Sequence, residues 1–166
     1  EGGASAASDV YQSQEQTGTR LAAAGFSWYE VSNWARPGGE CRHNLGYWAG
    51  DGWWGIGPGA HSHLGGVRWW NVKHPSTYAG LLAEGRSPEA EREELTAEQR
   101  NMERVMLGLR LSGGLPLDAV SDDAASRVPD LVARGLLDPE GVERGRLALT
   151  LRGRLLADAV IRDLVP

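Results

Sequence analysis

A histidine, an asparagine and two aromatic residues lie close together in this sequence. They are His43, Asn44, Tyr47 and Trp48. A neutral imidazole can ligate haem iron, and aromatic side chains four and five residues further on can pack beside a flat macrocycle from the same helical turn. The same residues also fit a structural role, in which the aromatic pair is core and the polar pair caps a short helix or holds a loop. Their periodicity alone does not favour haem.

Two other chemistries are open to this segment. A zinc site would take Cys41, His43, His61 and His63 as its four ligands, since residues i and i+2 of a strand point to the same side. Structural zinc sites, however, usually place about two to four residues between paired ligands, which neither pair does. The second chemistry is nucleophilic attack by Cys41, which would need a neighbouring base.

A glycine-rich segment follows at residues 55–60. Its candidate ligand-contacting residues are Gly55, Gly57, Gly59 and Ala60. Glycine lets a backbone approach a ligand closely, but Pro58 removes an amide donor and no clear helix opens after it, which departs from the dinucleotide-binding fingerprint. The segment therefore predicts either a ligand beside the end of a strand or a tight turn between strands.

The composition limits the class of protein that carries these residues. The 166 residues include 17 Lys and Arg against 22 Asp and Glu, a net charge of −5, which argues against binding nucleic acid through phosphate contacts. One cysteine permits no internal disulfide, and the sequence shows neither a secretory signal nor an apolar run of about 18 residues. We expect a cytoplasmic protein without a nucleic-acid partner. Because the chain begins with Glu1, we also expect it to be part of a longer protein.

The aromatic residues, the histidines and the cysteine all lie between residues 11 and 78. A stretch rich in glutamate, with glycine and proline, comes shortly afterwards at 84–94 and is typical of an exposed connection. This shift in composition predicts two units. Their bounds are 1–78 for the first unit, 79–94 for the linker and 95–166 for the second unit.

Local patterns predict a first unit of the α/β (α+β) class. Apolar spacing indicates a helix that ends at Gly25, and aromatic and β-branched residues indicate strands. The helix covers 9–24, and the strands cover 26–32, 53–56 and 67–71.

The second unit is predicted to be helical with one hairpin. Thr96 and Gln99 have the spacing of a capping box, and Thr150 is expected to cap the last helix. The inward residues of the first helix are Met102, Val105, Met106 and Leu109. Two shorter helices are predicted over 116–120 and 126–134, and the hairpin turn over 138–141. This order describes a winged-helix-like module, so an interaction module is one alternative function.

Four segments resemble successive motifs of the HemW-type radical-SAM proteins, the haem chaperones of the oxygen-independent coproporphyrinogen III oxidase-like family. They read YEVSNWARPG at 29–38, ECRHNLGYW at 40–48, GIGPGAHS at 55–62 and RWWN at 68–71. Residues 96–153 are similar to the C-terminal domain of that family. The resemblance therefore spans nearly the whole chain.

The resemblance implies two groups of binding residues and one absence. The residues that would bind haem are His43, Asn44, Tyr47 and Trp48, and His43 would ligate the iron. The mouth of the S-adenosylmethionine site in a complete barrel would be lined by Gly55, Gly57, Gly59 and Ala60. Family members also bind a [4Fe-4S] cluster through a Cys-x3-Cys-x2-Cys motif, whereas this chain has only Cys41. The chain alone is therefore expected to be inactive in radical chemistry.

The resemblance also implies a fold and a role. The fold would be the last helix and strands of a partial radical-SAM (β/α) barrel, followed by a helical winged-helix-like C-terminal domain. The role would be to accept haem and pass it to a haem-requiring protein such as a respiratory enzyme, with membrane contact only through that partner. Coproporphyrinogen III oxidase, an enzyme of porphyrin biosynthesis, is the alternative within the family, although decarboxylating relatives differ at 43–48. Because parallel barrel strands would lack neighbours, we expect the chain to self-associate through its first half.

Overall fold

The computed structural model describes the backbone of residues 2–165 and the side chains of residues 12–165. The first half mixes helices and strands, and the second half is mainly helical. The first half contains α1 (Gly2–Ala23), β1 (Ser27–Glu30), β2 (Asn33–Ala35), α2 (Arg42–Ala49), β3 (His61–Leu64), β4 (Val67–Asn71), α3 (Pro75–Ala83) and β5 (Glu89–Glu94). The second half contains α4 (Ala97–Gly108), β6 (Leu115–Pro116), a 3₁₀ turn (Leu117–Ala119), α5 (Asp122–Ala125), α6 (Val128–Ala133), α7 (Pro139–Glu143), β7 (Arg146–Leu147), α8 (Leu151–Leu155) and α9 (Ala157–Leu164).

The first helix and the hairpin after it follow the sequence only in part. The predicted helix is present as α1, which begins earlier than expected and ends before Gly25, whose φ of 79° favours glycine. The strand predicted over 26–32 is confirmed as β1 for residues 27–30, but it ends early because the chain turns at Val31, with φ 33°, and β2 then pairs antiparallel with β1. The indole Nε1 of Trp28 donates to the carbonyl oxygen of Val31 at 2.9 Å and holds this turn.

Strands β3, β4 and β5 form an antiparallel sheet in that order. The strand predicted over 67–71 is confirmed as β4. The strand predicted over 53–56 is wrong, since Trp53 alone pairs, in a single bridge with His63. The reason is the glycine segment, where positive φ at Gly57 and Gly59 turns the chain before β3 begins.

Strand β5 lies inside the stretch that was predicted to be a linker, so that prediction is wrong for residues 89–94. Its side chains are mostly exposed and largely acidic, so no alternation of apolar residues marks it as a strand. Backbone pairing with β4 holds it in place. Arg92 donates from Nε to Glu89 Oε1 at 2.6 Å, and this hydrogen bond lowers the pKa of Glu89 below its usual value.

Every strand pairing formed by the described residues is antiparallel. The parallel pairing typical of a (β/α) barrel is therefore not formed within residues 2–165. The outer edge of the sheet at β5 carries glutamates, and charged edge strands discourage pairing with another chain. Self-association of the chain and the bounds of the two units stay predictions.

The start of the second half follows the local sequence closely. Thr96 Oγ1 accepts a hydrogen bond from the Gln99 amide at 3.2 Å, and Gln99 Oε1 accepts one from the Thr96 amide at 2.8 Å, which confirms the capping box of α4. Of the four residues predicted to face inward, Val105 and Leu109 are buried. Met102 and Met106 are exposed instead.

The hairpin turn predicted over 138–141 is wrong, because α7 occupies this position. The carboxylate of Asp138 accepts a hydrogen bond from the Gly141 amide at 3.0 Å and caps the helix. Pro139 is the first helical residue, where its fixed φ suits a helix. Of the hairpin, a single bridge between Leu137 and Leu149 is formed.

The remaining helix predictions hold with shifted ends. The helices predicted over 116–120 and 126–134 appear as the 3₁₀ turn and as α6. Thr150 caps α8 as predicted, accepting a hydrogen bond from the Gly153 amide at 3.0 Å. The final helix is divided in two at Leu156.

The hydrophobic core is aliphatic and lies in the second half. It consists of Val105, Leu109, Leu115, Ala119, Val120, Ala124, Val128, Leu131, Leu136, Leu137, Leu147, Leu149, Val160, Ile161 and Leu164. The cluster includes Val105 of α4 and Leu109 directly after that helix. Within residues 2–165, no helix combines the length and the apolar content needed to cross a lipid bilayer.

Backbone bonds and side chains join the first half to this core. The Ser112 amide donates to the Tyr29 carbonyl oxygen at 2.9 Å, which fixes the β1–β2 hairpin. Arg68 of β4 forms an ion pair with Glu103 of α4. The two connections hold the sheet and the hairpin against α4, so that α2 and α4 lie side by side.

Removal of the Thr96 hydroxyl tests whether Thr96 caps α4 as the sequence predicts. Thr96→Ala is expected to lower the free energy of unfolding by about 1 kcal/mol, because the Gln99 amide loses its acceptor at the first turn. Urea unfolding followed by circular dichroism measures this loss. Thr77→Ala, at an exposed position within α3, is the matched control and should change stability much less. An equal effect of both changes would contradict the capping role.

Candidate functional site

The four residues predicted to bind haem lie together on α2, an eight-residue helix. The helix ends at Gly50, which has a left-handed φ of 76° and donates its backbone N–H back to the last turn. With helical spacing, residues four apart share a face. His43 and Tyr47 therefore form one pair along the helix, and Asn44 and Trp48 form the next.

The first pair faces outward and the second is half-buried. His43 is exposed, and its ring meets that of Tyr47 edge to face with centroids 4.7 Å apart. Asn44 donates from Nδ2 to Glu30 Oε1 at 3.4 Å. Glu30 is a buried carboxylate, only 2% exposed, that also accepts a hydrogen bond from Asn33. Asn44 thus anchors α2 to the hairpin and leaves the imidazole of His43 free to meet a ligand.

Ring contacts extend inward from His43. Tyr47 meets Trp53 with centroids 4.8 Å apart, and Trp53 meets His63 at 5.0 Å, both edge to face. We call His43, Tyr47, Trp53 and His63 the aromatic row. It connects an exposed imidazole on α2 with a second imidazole on β3.

An apolar cavity of about 420 Å³ lies between α2 and α4. We call it the α2–α4 cleft. Its apolar walls are Tyr47, Trp48, Trp53, Met106 and Leu107. A second cavity, of about 300 Å³, shares Trp48 and Leu107 with the cleft and is lined by His63 as well. Each volume lies near the lower end of the range of small-molecule sites. His43 stands beside the cleft and does not line it.

The glycine segment lies elsewhere and its amides are already used. The Gly55 amide donates to Ser62 Oγ at 2.9 Å, that of Gly57 to the Tyr78 hydroxyl at 3.2 Å, and that of Gly59 to the Val72 carbonyl oxygen at 2.9 Å. These amides are therefore not aimed at an anion. Gly55 lines a different cavity, of about 440 Å³, with Trp54 and Ile56, so the structure does not bring this segment into the α2–α4 cleft.

The zinc site considered for Cys41, His43, His61 and His63 is wrong. Among the described residues, no group of three or more His, Cys, Asp or Glu side chains is placed to hold a metal ion. His61 stacks on Trp70 at 5.6 Å, away from its expected partners. Cys41 is exposed, at the start of α2, and its backbone amide donates to the hydroxyl of Tyr29 at 3.4 Å.

The donor set of this chain does not fit an iron–sulfur cluster. Such a cluster is held by several cysteine thiolates, and the sequence contains one cysteine. This chain alone therefore does not supply the thiolates that would hold such a cluster.

Several lining residues escape a reading of the sequence. Met106 has helical spacing with the core residues of α4 and was expected to face the core, but it faces the cleft. Trp53 was assigned to a strand, and His63 only to the zinc alternative. The sequence offers no local signal for Met106, because its spacing on α4 is the same as that of the core residues.

The fold resembles that of a solved structure. The structure superposes on a solved chain described as "Coproporphyrinogen III oxidase (HemN) from Escherichia coli is a Radical SAM enzyme" with a TM-score of 0.65 and 18% sequence identity. The match covers 91% of this chain and 39% of the solved chain. At this identity the likeness shows the fold alone, a mixed helix and strand fold found in a radical-SAM enzyme. No protein-family model matches the chain.

Sequence similarity gives the family. The chain is 57% identical over 151 residues to "Heme chaperone HemW" of Mycobacterium tuberculosis, covering 91% of this chain and 38% of that protein. It is 33% identical over 150 residues to the protein of the same name from Bacillus subtilis, covering 86% and 39%. The corresponding Escherichia coli protein is 31% identical over 165 residues, covering 92% and 41%. The chain belongs to the HemW family and spans about two fifths of the length of these relatives.

Proposed function

We propose that this chain is the haem-holding part of a haem chaperone, and that it binds haem through α2. The residues involved are His43, Asn44, Tyr47 and Trp48, as the resemblance to the family implied. Two findings support the proposal. The relatives carry the name "Heme chaperone HemW", and α2 places an exposed imidazole beside an apolar aromatic cleft.

The observation that carries the proposal is the contact between His43 and Tyr47. The imidazole is exposed and stands 4.7 Å, centroid to centroid, from a ring that lines the α2–α4 cleft. Iron binds to a neutral imidazole nitrogen, while the porphyrin presents a flat apolar face. A haem ligated by His43 would therefore bury its face against Tyr47 and the adjoining wall of the cleft.

An exposed site suits a protein that gives up its ligand. His43 lies at the surface, and Tyr47 is 40% exposed, so a receiving protein could reach the same haem. The polar partner of α2 is Glu30, which holds Asn44 from the hairpin side and keeps the helix in place. We take the recipient to be a haem-requiring protein such as a respiratory enzyme. A cytoplasmic location, and membrane contact only through that recipient, stay predictions.

The finer fold assignment belongs to the same proposal. We assign α1 and the first strands to the end of a radical-SAM (β/α) barrel, and residues 95–166 to a winged-helix-like domain. In the complete protein, Gly55, Gly57, Gly59 and Ala60 would lie at the mouth of the S-adenosylmethionine site, with the [4Fe-4S] cluster held by cysteines outside this chain. The exposed Ile56 and Trp54 beside these glycines support a contact surface there.

The two alternatives have less support. Decarboxylation of coproporphyrinogen III rests on a likeness of fold at 18% identity. A winged-helix interaction module rests on the order of the helices, and the arginines at either end of α6, Arg127 and Arg134, are engaged with Asp123 and Asp130. Haem binding by α2 has support from both the relatives and the geometry.

Titration with ferric haem tests the proposal in the complete gene product that carries this sequence. We expect a saturable Soret shift, and we expect His43→Ala to weaken binding by about tenfold or more because the iron loses its ligand. The matched control is His74→Ala, since His74 is exposed and hydrogen-bonds Ser76 away from the cleft. Equal affinity of His43→Ala and the unchanged protein would overturn the assignment of His43, and absence of saturable binding would overturn the function.

A further inference from the structure

We propose that His63 is a second, interior ligand for the iron of bound haem. The inference rests on the proposed function and extends it to a residue outside α2. It begins from the imidazole of His63, both of whose ring nitrogens are buried without a hydrogen-bond partner among the described residues.

His63 is half-buried as a residue, but two buried ring nitrogens without partners are costly for a purely structural side chain. Leaving a buried polar group unsatisfied costs about 1–3 kcal/mol, and a leucine or methionine could fill the same space without that cost. Ser62, the neighbour of His63 on β3, shows the usual pattern, because its buried hydroxyl accepts a hydrogen bond from the Gly55 amide. An imidazole whose nitrogens are kept free is suited to bind a metal ion.

The position of His63 connects it to the proposed haem site. It forms the inner end of the aromatic row, of which His43 is the outer end. It also lines the cavity that shares Trp48 and Leu107 with the α2–α4 cleft. The side chains between the two imidazoles are aromatic and apolar, as a porphyrin face requires.

Ligation by both imidazoles requires the macrocycle to enter between the two ends of the row. Tyr47 and Trp53 fill that interval now, in edge contacts that leave Tyr47 partly exposed. A shift of these two rings would make room for the macrocycle, and His43 and His63 would then be the residues that hold its iron. The bound iron would then be six-coordinate, with two imidazole ligands.

The spin state of the iron distinguishes this arrangement from ligation by His43 alone. In the complete gene product loaded with ferric haem, absorbance and electron paramagnetic resonance are expected to show low-spin iron. His63→Gln keeps the size and polarity of the residue but removes the ligand, so it should convert the iron to high spin and weaken binding by about tenfold. His63→Met restores a ligand known for haem iron and should keep the low-spin signal with an altered spectrum.

The control is His61→Gln, two residues away on the same strand, where the ring is exposed and stacks on Trp70. It should leave spectrum and affinity unchanged. Saturable binding with the same spectrum in His63→Gln and the unchanged protein would overturn the role of His63 and leave the haem-binding function standing. Failure of the unchanged protein to bind haem would overturn both. Circular dichroism of each variant shows whether a lost signal comes from unfolding.

Discussion

Leu109→Ala is expected to lower the free energy of unfolding by about 2–5 kcal/mol. Leu109 follows α4 directly and is fully buried in the aliphatic core, so the truncated side chain leaves a cavity among well-packed neighbours. The lost packing should also disturb the α2–α4 cleft, because Met106 and Leu107 of α4 line it. Urea unfolding followed by far-ultraviolet circular dichroism gives the measurement.

Met106→Ala is the matched control for this prediction. Met106 lies about one helical turn before Leu109, and the sequence predicted that both residues face inward. In the structure, however, Met106 is 37% exposed and faces the cleft. Its truncation is expected to cost about 1 kcal/mol or less in stability while weakening haem binding. If the two variants lost the same stability, the core would not lie where the structure places it.

Gly55→Ala is expected to destabilise the first half of the chain by up to about 3 kcal/mol. A Cβ atom at this position would stand 2.1 Å from the carbonyl oxygen of His61, a contact that only a backbone shift can relieve. The shift would separate residues 53–55 from β3 and pull Trp53 away from His63. Haem affinity should therefore fall together with stability.

Gly80→Ala provides the comparison. Gly80 lies within α3, and a Cβ atom there would meet nothing within 4 Å. Alanine is the better helix former by about 1 kcal/mol, so this variant is expected to be neutral or slightly more stable. A loss of stability in Gly80→Ala as large as that in Gly55→Ala would show that close packing at Gly55 is not the cause.

Features governed by neighbouring residues could be predicted from the sequence. The capping box of Thr96 and Gln99 and the glycine after α1 act within one helical turn, and the structure has both. The turn at Val31 and strand β5 could not be predicted in this way. Val31 adopts a backbone conformation that its residue type disfavours, and β5 is held by pairing with β4 while its own side chains remain in water.

The candidate site likewise has a part that neighbouring residues determine and a part that only the tertiary structure determines. The spacing of His43, Asn44, Tyr47 and Trp48 indicated that they could act together from one helical turn, and the structure places all four on α2. The inner part of the site depends on how β3 and α4 meet α2, which no local pattern reports. His63 was therefore visible only as a histidine of uncertain role, although its nitrogens are the unpartnered ones.

The separation between aromatic residues and aliphatic core has a practical consequence for spectroscopy. All seven tryptophans precede residue 71, whereas the core runs from Val105 to Leu164 and contains none. Intrinsic tryptophan fluorescence therefore originates in the site-bearing half, and Trp28 also senses the second half, because the guanidinium of Arg154 lies over its ring at 4.2 Å. Haem bound at α2 would quench that emission by energy transfer. Quenching of this fluorescence therefore follows haem binding at the site, whereas far-ultraviolet circular dichroism follows the helices of both halves.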